Sequence, residues 1–105
     1  MSTKSQKSDA IKFLESLRGG PLTFGRMIES FRKCDEITQE KLAQKMKISK
    51  AHLCDIEKGR RMVSPERAAK FAKVMGYMVE QFVAVAIEDQ LHKAGLNMKV
   101  LLKAA

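Results

Sequence analysis

The sequence predicts an all-α fold, a compact five-helix domain with a short helix before it and a tail after it. Three observations carry that expectation. Apolar residues are 45% of the chain but aromatics only 6%, with no Trp, so the core must come from Leu, Ile, Val, Met and Ala. Such a composition suits helices better than a β-sandwich. Apolar positions recur at three- and four-residue spacing, and Ser or Thr tends to open such a run while Gly closes it. With 105 residues the chain has room for one domain.

Taken in order, residues 1–8, "MSTKSQKS", are small and polar and are expected to form an arm. Ser8 then caps a short helix with Ile11, Leu14 and Leu17 on one face, stopped by Gly19, Gly20 and Pro21. The next helix starts at Thr23 or Phe24, runs to Cys34 and buries Phe24, Met27, Ile28 and Phe31. Thr38 caps a helix with Leu42, Ala43 and Met46 inward, and Ser49 caps another with Leu53 and Ile56 inward and Gly59 as its stop. Ser64 and Pro65 open a helix through Ala68, Ala69, Phe71, Ala72 and Val74 to Gly76. A last helix covers Val79 to Lys93 and ends at Gly95. In the tail, Met98, Val100 and Leu102 alternate with Lys99, Leu101 and Lys103, a pattern open to a short strand or a helical tail. The expected organisation is an arm and short helix over 1–22, a domain over 23–95, and a tail over 96–105.

Net charge is +8 with a pI near 9.7, which favours an anionic partner, nucleic acid before membrane. The excess is uneven. Residues 60–75 hold five basic and one acidic side chain, whereas residues 76–105 hold three of each. Only two cysteines occur, Cys34 and Cys54, and the start has no apolar signal core, so a reduced, cytoplasmic protein is expected. The longest apolar run, "FVAVAI", is six residues, far below a membrane span of roughly 20. His52, His92, Cys34 and Cys54 match no zinc spacing, and neither a nucleophile–base motif nor a Gly-rich phosphate loop is present. Neither an enzyme nor a metal or cofactor is expected, and the seven methionines are read as core filler.

The stretch "TQEKLAQKMKISKAHLCDIEKG" leaves only Lys47 and Ile48 between two amphipathic helices. So short a link forces a large crossing angle, the geometry of a helix-turn-helix. Ala43 supplies the small side chain that close approach needs. Leu42, Met46, Ile48, Leu53 and Ile56 form the seam.

Thr38, Gln39, Leu42, Ala43, Ile48, Ser49, Leu53, Ile56, Glu57 and Gly59 together resemble the pattern of the lambda-repressor-like, or Xre, family of DNA-binding domains. One departure is Lys47, where the family's turn often holds glycine. The resemblance implies that the second helix of the pair enters the major groove of double-stranded DNA N-terminus first. Ser49, Lys50, Ala51 and Asp55 would then meet base edges or nearby backbone. Lys50 would donate to guanine, Ala51 would touch a thymine methyl, and Asp55 would accept from cytosine or orient a neighbouring cation. His52 and Gln39 would reach phosphates, Arg60 and Arg61 would clamp the backbone, and Arg67 and Lys70 would add to the clamp. Glu57 is expected to be structural, paired with Arg26 or Arg32.

The last helix has an apolar arc wider than one stripe, which suggests burial on two sides. Phe82, Val85, Ile87 and Leu91 are the candidates for a homodimer interface, and a twofold pair implies an inverted-repeat operator with half-sites about 34 Å apart. The order of "SKAHLCDIEKGRRMVSPERAAKFAKVMGY" and "QFVAVAIEDQLHKAGL" resembles HigA-type antitoxins, which implies a small basic ribonuclease toxin as partner and repression of the protein's own operon. Contact with such a toxin would fall on Glu88 and Asp89 or on the first short helix, for which a plain packing role is the alternative. A phage or plasmid repressor without a toxin is the competing reading, and an RNA-binding or coactivator adaptor a third.

Overall fold

A computed structural model describes residues 23–103 of the chain. The short helix expected before Pro21 and the rest of residues 1–22 lie outside the described residues. Five helices and no strand occur among those described: α1 (Phe24–Cys34), α2 (Gln39–Met46), α3 (Lys50–Glu57), α4 (Pro65–Met75) and α5 (Val79–Lys93). The fold is all-α.

Local chemistry sets the helix starts. The hydroxyls of Thr23, Thr38, Ser49 and Ser64 each accept a hydrogen bond from the backbone N–H three residues on, which satisfies a donor that has no partner inside the helix. Only α5 starts without a side-chain cap, at Met78. Every helix ends alike. A left-handed residue, Glu36, Lys47, Gly59, Gly76 or Gly95, turns the chain, and the following N–H bonds back across the last turn, as in Ile48 N–H to the Ala43 carbonyl at 3.0 Å.

Packing follows the apolar faces. α4 lies on α5, α1 meets α3 and α5, and α2 meets α3 and α4. Phe24, Phe31, Phe71 and Phe82 are at most 4% exposed. They form, with Tyr77, a cluster of edge-on and stacked rings with centroids 4.4–6.1 Å apart, which fastens α1 to the last two helices. The expected seam is buried at Leu42, Met46, Leu53 and Ile56, with Ile48 packed at its edge. Gly25 lets α1 approach the end of α3 closely: an added Cβ would sit 2.1 Å from the Ile56 carbonyl oxygen.

The buried stripe of α5 is Phe82, Val85 and Ala86. Val79 and Val83 are partly buried against it, and Ala69 and Val74 of α4 are likewise half-buried. Val85, a candidate for the dimer face, is 7% exposed and packs beside Phe82 and Ala86 in the core. Residues 96–103 form neither a strand nor a helix. Gly95 reverses the chain, the Leu96 N–H bonds to the Leu91 carbonyl, and the Val100 N–H bonds to Glu88 Oε1 at 3.1 Å, so the tail returns along α5.

Candidate nucleic-acid interface

The site is built on the α2–α3 pair and the loop after α3. Lys47 takes φ 59° and ψ 42°, the left-handed conformation that makes the two-residue turn possible. A non-glycine residue pays on the order of 1 kcal/mol there. The turn presents the N-terminus of α3 outward, with Ser49, Lys50 and Ala51 exposed.

Each candidate residue has a defined setting. Ser49 Oγ accepts from the His52 N–H at 3.0 Å, leaving its hydroxyl hydrogen free to donate. Lys50 Nζ lies 2.6 Å from Glu40 Oε1, both side chains being well exposed. That carboxylate raises the Lys50 pKa by hydrogen bonding and charge. Asp55 Oδ1 meets Arg60 Nη1 at 3.4 Å, with both side chains at least partly exposed. Arg60 and Arg61 are exposed in the turn after Gly59.

Besides Arg60, four residues expected on phosphates have partners inside the protein, His52 and Arg67 being each other's. His52 is half-buried, with Nε2 3.0 Å from Arg67 Nη1, so the ring nitrogen accepts and the proton sits on Nδ1. Burial first, then the Arg61 and Arg67 charges, push the imidazole below its ordinary pKa. Lys70 Nζ donates to the Met46 carbonyl at 2.9 Å and so caps α2. Gln39 Nε2 donates to Glu57 Oε1 at 2.9 Å, which leaves one amide hydrogen for another acceptor.

Behind this surface lies a buried polar knot. Glu57, 2% exposed, accepts from Arg32 Nε at 2.7 Å and from Arg32 Nη2 at 3.1 Å, while Arg32 Nη1 donates to the Ile37 carbonyl. Hydrogen bonding to Glu57 raises the Arg32 pKa further. Of the two partners expected for Glu57, Arg32 is the one; Arg26 pairs with Glu29. One carboxylate thus ties the end of α3 to α1, to the α1–α2 turn and to the first residue of α2. The loop after α3 is held in turn by α5, through Lys93 Nζ to the Gly59 carbonyl and Gln90 Nε2 to the Val63 carbonyl.

Of the residues expected at a dimer face, Phe82 is 1% and Val85 7% exposed, inside the domain's own core, while Ile87 and Leu91 are half-buried. Reading the sequence alone missed Gly25, Glu40, Lys93 and Gln90. Only Gly25 carried a visible signal, a glycine inside an otherwise helical face.

An N-cap, a two-residue left-handed turn and an outward second helix backed by a buried core define a helix-turn-helix protein. Residues 28–81 match the helix-turn-helix family HTH_3, and the chain belongs to that family of DNA-binding transcriptional regulators rather than to an enzyme family. Among solved structures it is similar to the clp gene regulator ClgR from C. glutamicum, at 30% identity and TM-score 0.54, over 61% of this chain and 83% of that one. A second structure of ClgR, from Corynebacterium glutamicum, is 28% identical with TM-score 0.54, over 69% of this chain and 77% of that one. No curated protein matches the chain. No helix among the described residues is long and apolar enough to cross a membrane.

Proposed function

We propose that the protein is a sequence-specific repressor that binds, as a homodimer, an inverted-repeat operator in double-stranded DNA, with residues 23–95 as the binding unit. α3 lies in the major groove. Lys50 and Ala51 read base edges, and the Ser49 hydroxyl donates beside them. Asp55 acts by holding Arg60, which with Arg61 clamps the backbone. Gln39 offers its second amide hydrogen, and His52 its Nδ1–H, to phosphates. The observation that supports this most is the exposed row Ser49, Lys50 and Ala51 at the start of α3, next to exposed Arg60 and Arg61, on helices locked from behind by Glu57.

In the dimer, Ile87 and Leu91 face the second copy, and Phe82 and Val85 support that face from inside. Footprinting of the protein's own upstream region tests the reading. Two protected half-sites one helical turn apart are expected. A single protected half-site contradicts binding as a twofold dimer.

The finer role is that of the antitoxin of a type II toxin–antitoxin pair, repressing its own operon and neutralising a small basic ribonuclease. It is supported by the HigA-like order of motifs. The likeness to a gene regulator favours a second reading, a repressor without a toxin. An adjacent reading frame whose basic product co-purifies with this protein supports the antitoxin; the absence of any such frame supports the second reading.

A further inference from the structure

Five large apolar side chains are exposed among the described residues, and four of them, Leu96, Met98, Leu101 and Leu102, fall within the seven residues after Gly95. Leu101 is 95% and Met98 58% exposed. Scattered apolar residues on a surface are ordinary, but concentration in one short segment marks a contact. The segment is not loose: Glu88 holds the Val100 N–H at 3.1 Å, beside the half-buried Ile87 and Leu91. Tail and helix therefore present one apolar surface.

We propose that residues 96–103 are a dimerisation arm, which covers the Ile87–Leu91 face of α5 together with the same segment of a second copy of this chain. This rests on the homodimer reading above and names the element that closes it.

Charge selects a second copy as the occupant. Two chains of net +8 repel, yet residues 76–105 carry three basic and three acidic side chains, so this is where two copies meet at least cost. The segment also holds both signs, with Glu88 and Asp89 on α5 and Lys103 on the tail. A twofold contact sets each patch against the other copy's opposite one, the self-complementarity an isologous interface requires. A neutral segment is a poor match for DNA. The loop carrying Arg60 and Arg61 is tied to the same end of α5 through Gln90 and Lys93, so closing the arm fixes the spacing of the two basic loops.

Sedimentation equilibrium of the full chain, of Leu101→Lys and of Leu101→Ile tests the arm, with circular dichroism as a check on the protomer. Leu101 touches little in its own protomer, so both variants are expected to keep the helical spectrum. Leu101→Lys is expected to weaken self-association by roughly tenfold or more, as loss of a buried leucine from each copy implies, and Leu101→Ile to leave it unchanged. If the parent chain dimerises and Leu101→Lys dimerises equally well, the arm is overturned while the α5 dimer stands. A parent chain that is monomeric at every concentration overturns both.

Discussion

Arg32 and Glu57 form a two-pronged ion pair between α1 and the end of α3, at 2.7 and 3.1 Å, with the Arg32 side chain 10% and the Glu57 side chain 1% exposed. Desolvation makes such a pair costly to assemble and costlier to break on one side. Its structural work is to orient α3, and with it Lys50, relative to α1.

Removing one partner therefore strands the other in the core. Arg32→Ala is expected to lower unfolding free energy by about 3–5 kcal/mol in urea titration. The double variant Arg32→Met with Glu57→Met is expected to recover most of that loss. If Arg32→Ala costs no more than an exposed substitution, the pair does not hold the helix.

Lys47 sits at φ 59° without glycine's freedom. Lys47→Gly is expected to stabilise the fold by about 0.5–1 kcal/mol, and Lys47→Ala to give no gain. Thermal melts of the two variants make the comparison, and equal melting points would remove strain as the explanation.

His52 carries a pH dependence. Its folded pKa lies below the ordinary 6.5 because the ring is desolvated and faces Arg61 and Arg67. Between that lower value and 6.5 the unfolded chain binds more protons than the folded one. The stability this group contributes is thus full above pH 6.5 and is lost as pH falls through its folded pKa. His52→Gln is expected to flatten this part of the stability profile; a profile of unchanged slope contradicts the assignment.

Lys50 and Arg61 separate sequence reading from backbone attraction. Lys50→Ala is expected to shrink the ratio of operator to random binding by about 1–3 kcal/mol equivalent. Arg61→Ala is expected to weaken binding to all duplexes alike and reduce the salt slope by about one. Equal losses on operator and random duplex for Lys50→Ala would count against its base-reading role.

Much of this molecule is written locally. Thr38, Ser49, Ser64 and Gly76 mark helix ends because a cap or a left-handed turn is decided within a few residues. The Arg32–Glu57 pair was half legible, since a charge inside an apolar seam needs a partner but sequence spacing does not choose between Arg26 and Arg32. The partners of His52, Gln39, Lys70 and Lys50 were not legible. Each depends on how one helix is turned against another, which sequence spacing does not fix. Phe82 and Val85, candidates for a dimer face in the sequence, lie in the domain's own core, because an apolar arc wider than one stripe does not say which of its residues meets the neighbouring helices.

Competition binding tests the proposed repressor most directly: titration of the protein against a labelled duplex of its own upstream region, with unlabelled random duplex in excess. Saturable binding that survives the competitor is the expected result. Binding no tighter than to random duplex would contradict sequence-specific recognition and leave the basic surface as general electrostatic attraction.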